Sequence, residues 1–70
     1  MIRFTTRNSK YEVTVQKNRF HVKKFEEINP ASRRIAVGQT TISEYLALSV
    51  GIGAGFGGLR TSAVMTIEDV

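Results

Sequence analysis

The chain of seventy residues contains no cysteine, so no disulfide can staple it and no thiolate can hold a metal or attack a substrate. Its single histidine, His21, excludes a multi-histidine metal site. It also lacks the length for a second domain, and residues 1–70 are read as one unit. A domain this small buries only about 60% of the surface its unfolded chain exposes, and its core alone supplies roughly 3–5 kcal/mol. Long apolar runs are missing too. The longest uncharged stretch, Tyr45 to Leu59, has fifteen residues, of which five are glycine. As a helix it would reach about 22 Å, short of the roughly 30 Å of a bilayer core, so no membrane span is expected. No basic segment followed by an apolar one opens the sequence, and a cytoplasmic protein is the expectation.

What is present belongs to a folded protein, with 41% apolar and 23% charged residues. The net charge of +4 is unevenly spread. Residues 1–35 carry nine basic and three acidic side chains, whereas residues 36–70 carry Arg60 against Glu44, Glu68 and Asp69. A basic half attracts phosphate backbones or an acidic protein surface.

Alternation dominates the first 25 residues. Ile2, Phe4 and Thr6 alternate with Arg3, Thr5 and Arg7; Tyr11, Val13 and Val15 with Glu12, Thr14 and Gln16; Phe20 and Val22 with Arg19, His21 and Lys23. This period of two marks half-buried strands. Asn8-Ser9 and Lys17-Asn18 fall where reversals are needed. As two-residue loops they set Phe4 against Val13, Ile2 against Val15, Val15 against Phe20 and Val13 against Val22. Both loops then send the same apolar residues to one side, which a one-residue slip in either would spoil. The parity breaks at Lys24-Phe25; a bulge near Lys23-Lys24 would turn Phe25 inward and bend the strand, unless the strand simply ends there.

Beyond this meander the pattern weakens. Glu26 to Ser32 reads as a connection and Arg33 to Val37 as a short strand with Ile35 and Val37 inward, before a turn at Gly38. Thr41-Ile42-Ser43-Glu44 fits a capping box that would open a helix. The preferred reading of the same region is a strand from Glu44 to Val50. Gly51 to Gly58 reads as a glycine-rich loop, and Leu59 to Glu68 as a final strand. The expected fold is therefore all-β, a small antiparallel meander closing into an open barrel or roll of five or six short strands. The alternative is α+β with one short helix near 42–50.

No nucleophile–base pair, metal set or cofactor loop emerges, so neither catalysis nor a cofactor is expected. Gly53 to Gly58 formally matches G-x-G-x-x-G, but only 12 residues follow, too few for the helix and acidic residue of a dinucleotide site. His21 has basic neighbours and no orienting partner. The outer face of the meander, with Arg3, Arg7, Lys10, Arg19, His21 and Lys23, and with Arg33 and Arg34 extending it, is the candidate contact for nucleic-acid phosphates. Phe4, Tyr11 and Phe20 point inward under this register and only Phe25, Tyr45 and Phe56 could lie outside, so a base-stacking platform is not expected there. The second candidate is protein association, including homo-oligomer formation, through the apolar glycine-rich half, with Ile52, Phe56 and Leu59 as exposed anchors.

Overall fold

A computed structural model describes residues 1–29 and 35–70. Six antiparallel strands run in chain order: β1 (Ile2–Thr6), β2 (Ser9–Gln16), β3 (Arg19–Glu27), β4 (Thr40–Ser43), β5 (Gly53–Phe56) and β6 (Leu59–Asp69). They form one sheet in the order β4-β3-β2-β1-β6-β5, curled into a nearly closed barrel with no helix among the described residues. The all-β reading holds, and among the described residues no helix is long and apolar enough to cross a membrane.

The β2–β3 hairpin has the register that the alternation requires, with Gln16 opposite Arg19, Val15 opposite Phe20 and Val13 opposite Val22. Lys17 (φ 51°) and Asn18 (φ 61°) both take left-handed backbone, as the tightest hairpin turn demands. The β1–β2 hairpin differs by two residues. Phe4 faces Tyr11 rather than Val13, and Ile2 faces Val13 rather than Val15. Its reversal centres on Arg7-Asn8, one residue earlier than Asn8-Ser9. Thr6 Oγ1 donates to the Ser9 carbonyl at 3.2 Å and accepts the amides of Ser9 and Asn8 at 3.1 and 3.3 Å, binding the turn together. A shift of two leaves every side chain on its expected face. It does separate Arg7 from Lys10, which instead faces Thr5.

β3 continues to Glu27, past the expected connection, and its bulge lies at Phe25. Tyr11 faces Lys24 and Lys10 faces Glu26, so Phe25 is the extra residue. The outcome reverses the expectation. Lys24 stays inside, 2% exposed, while Phe25 lies on the outer face with the Arg3 guanidinium 5.2 Å from its ring centre. The Lys24 ammonium donates to Glu27 Oε1 at 2.8 Å and to the Ile35 carbonyl at 2.9 Å, tying the segment before β4 to the barrel. Removing one partner of such a pair costs more than replacing both with apolar groups. Glu27→Ala is expected to cost on the order of 1–2 kcal/mol, moderated because Glu27 is partly exposed to water. Adding Lys24→Met should recover at least half of that loss in urea denaturation; a double variant weaker than the single would contradict the pairing.

Ile35 is buried, but Val37 is exposed and the segment 35–37 is not a strand. Gly38 does turn the chain, at φ 91°, and its amide donates to the Lys24 carbonyl at 2.7 Å. The region 42–50 is neither the helix nor the strand expected of it. Thr40–Ser43 is the strand, and Ser43 Oγ accepts the Tyr45 amide and donates to the Tyr45 carbonyl, a local turn that takes the place of a helix cap. Residues 44–50 cross irregularly, with Leu46 and Leu48 packed against the core and isolated bridges from Ala47 to Gly55 and from Val50 to Val64.

The glycine-rich segment is not a loop throughout. Gly53–Phe56 is β5, and only Gly57-Gly58, at φ 54° and 77°, form the turn into β6. Ala54 and Phe56 join Phe4, Tyr11, Val13, Val22, Ile35 and Val64 in the core. Phe4 stacks on Tyr11 at 4.8 Å, and Phe56 meets Tyr11 edge-on at 6.1 Å. Side chains close the barrel between β4 and β5. The Gly57 amide donates to Ser43 Oγ at 2.9 Å and the Gly58 amide to Tyr45 Oη at 2.7 Å.

Candidate functional site

The curvature turns the odd residues of β1, the even residues of β2 and the odd residues of β3 up to Lys23 outward. Across the middle of this face the register lines up Lys23, Glu12, Arg3 and Glu68 on four neighbouring strands. Charges alternate along that row, and Arg3 reaches Glu12 at 3.3 Å. Lys10 approaches Glu26 at 3.7 Å, and Arg19 approaches Glu44 at 3.4 Å. Glu12 is thus one of several carboxylates set against the cations, because the fold returns Glu68 to β1 and Glu44 to the β2–β3 turn. These pairs are exposed, and each contributes at most about 1 kcal/mol.

Arg7 sits exposed in the β1–β2 turn. Lys23 is exposed beside Thr40, and His21 is half-buried between Thr14 and Ile42. A polar groove is lined by Glu12, Thr14, Gln16, His21, Lys23 and Thr40. Arg33 and Arg34 lie outside the described residues. The face therefore unites six of the eight basic candidates but pairs three of those six with acids.

The proposed apolar anchors do not form a surface. Ile52 is exposed, Leu59 is half-buried against the core, and Phe56 is 0% exposed. Phe56 cannot be an exposed anchor, because its strand folds into the barrel wall with its side chain inward.

An open apolar concavity lies elsewhere. β1 begins at Ile2, opposite Val13, so the β2–β3 hairpin overhangs the sheet by several residues. Val15, expected in the core, has Phe20 on one flank and, among the described residues, no strand on the other, and is 66% exposed. Ile2, also expected inside, is 37% exposed. Together with Met1, Val13, Phe20 and Leu46 they line an open barrel mouth of about 360 Å³.

No known protein family, curated protein or solved structure matches the chain.

The mouth adjoins an open sheet edge. β5 pairs with β6 only as far as Ala63, and Val64 is held by backbone bonds to Gly51 and Ile52. Beyond it, Thr66–Asp69 has β1 on one side and no strand on the other among the described residues. Met65 and Ile67 are exposed there. The sequence marks Met65 and Ile67 as one face of a strand, but how far β5 reaches along β6 is a tertiary matter. Among the described residues no group of three His, Asp or Glu side chains is gathered for a metal ion.

Proposed function

We propose that this protein is a non-catalytic association module whose working surface is the apolar mouth together with the open edge of β6. The observation that carries this reading is Val15. It stands on the core-facing side of β2, yet two-thirds of it is in water. Apolar area of this kind gains roughly 25 cal/mol for each Å² covered. Contiguous exposed apolar patches characteristically mark interaction sites. An unpaired strand edge beside such a patch offers main-chain hydrogen bonds to an added strand.

Val15→Asp tests the reading. Because Val15 is largely exposed, thermal stability should stay within about 0.5 kcal/mol. Association, with itself by light scattering and with other proteins by pull-down, should weaken at least roughly tenfold. Association unaffected by Val15→Asp would overturn the proposal.

A second reading is contact with nucleic-acid phosphates through Arg3, Arg7, Lys10, Arg19 and Lys23. It is favoured by Lys23, which lines the polar groove with His21 and Glu12 and has no ion-pair partner within 4 Å among the described residues. Such binding would fall steeply with salt and be lost on charge reversal at Arg19 and Lys23, while Val15→Asp would spare it.

A further inference from the structure

The edge of β6 narrows the choice of partner. The Val70 amide donates to the Met1 carbonyl at 2.8 Å. In an antiparallel ladder, alternate residues turn both backbone groups to the same neighbour. Thr66, Glu68 and Val70 therefore bond toward β1, opposite Thr5, Arg3 and Met1. Ile67 and Asp69 point their N–H and C=O groups away from β1, toward the open edge.

We infer, building on the association reading above, that the occupant of this edge is a second copy of the chain, paired antiparallel about a two-fold axis at Ile67. Three symmetric registers pair these outward groups with one another. Those centred on Glu68 and on Asp69 each set two carboxylates face to face, a destabilising cross-strand pair. The one centred on Ile67 sets Ile67 against the partner's Ile67 and Glu68 against the partner's Thr66, with no like charges opposed. Charge thus selects the register centred on Ile67. It also sets the two Ile67 side chains together across the seam, each beside Phe4 on the inward side of its own sheet. A two-fold pairing of identical edges closes on itself and does not propagate. A domain this small, without disulfides, gains stability from such pairing.

The natural chain has no cysteine, so Thr66→Cys and Glu68→Cys each supply a unique thiol. Residues 66 and 68 would form non-hydrogen-bonded pairs across the two-fold, with Cβ atoms close enough for a disulfide. Mixing the two variants under mild oxidation should give predominantly the mixed dimer. A homodimer of the Glu68→Cys variant forming in preference would overturn the register. Sedimentation equilibrium supplies the second arm. Ile67→Pro removes an N–H that faces solvent in the single copy, a site where an edge strand tolerates proline. The wild type should dimerise, and Ile67→Pro should raise the dissociation constant at least roughly tenfold. A dimer broken by Val15→Asp but indifferent to Ile67→Pro would leave the mouth as the interface and refute the β6 pairing. A wild type monomeric at every concentration, whose capture of another protein still depends on Val15, would refute the second copy and spare the association reading. A dimer indifferent to both substitutions would sink both.

Discussion

Phe56→Ser is expected to leave the chain largely unfolded at 25 °C. The ring is fully buried and meets Tyr11 edge-on, and Tyr11 in turn stacks on Phe4. Deleting a buried phenylalanine ring costs about 3–5 kcal/mol, and a serine hydroxyl left there without a partner adds about 1–3 kcal/mol. The whole core of a domain this size supplies roughly 3–5 kcal/mol. The loss therefore equals or exceeds what holds the fold together. Circular dichroism should show the β signal gone, and a native spectrum with an unchanged melting temperature would contradict the inward position of β5. Under the sequence reading of an exposed anchor, the same substitution would have been silent for folding, so this one variant separates the two descriptions.

Gly53→Ala is expected to be the next most damaging change, costing about 1–3 kcal/mol or more. A Cβ at Gly53 would lie 2.2 Å from the Thr61 carbonyl oxygen and 3.0 Å from Arg60 Cγ. The first of these is backbone of the neighbouring strand and cannot swing aside, so β5 would have to move off β6. That movement would strain the hydrogen bond from the Ala54 amide to Thr61 Oγ1. Gly51 is the control. It has φ 97° but open space around it, so Gly51→Ala meets only the backbone penalty of a left-handed conformation, on the order of 1–2 kcal/mol. The urea midpoint should fall further for Gly53→Ala than for Gly51→Ala; the opposite order would mean the strands are not this close.

The meander was legible because its two reversals and its alternation constrain each other. Lys17-Asn18 and the flanking apolar residues define the β2–β3 register as far as the bulge at Phe25. The β1–β2 register was underdetermined by two residues, since either loop keeps Phe4, Tyr11 and Val13 on the same side, and only the Thr6 hydroxyl distinguishes them. Lys24 interrupts the apolar alternation of the sequence. The structure keeps the parity and supplies a carboxylate and a carbonyl for the buried ammonium, a solution invisible in hydropathy. Glycines 53 and 55 read as loop residues because their usual meaning is conformational freedom. Here Gly53 serves close strand approach, which depends on a neighbour that local sequence does not name. The apolar mouth was hidden for a related reason: Ile2 and Val15 carry the signature of core residues, and only the short reach of β1 leaves them uncovered. Arg3, Lys10, Arg19, His21 and Lys23 share the outer face of the meander, where Glu12 and Glu26 of the same strands pair with two of the cations and Glu44, from the crossing far along the chain, pairs with a third.

β1 lies in the middle of the sheet, bonded on one edge to a strand that begins three residues after it ends and on the other to a strand some sixty residues further along. Closing the short hairpin loses far less chain entropy than bringing the distant strand back. The meander can therefore assemble while β6 is still unattached, and throughout that interval the Ile2–Thr6 edge is bare. During refolding at high concentration, another molecule's strand competes for that vacancy with the chain's own β6. Yield on dilution from denaturant is thus set by a race between the molecule's own tail and its neighbours.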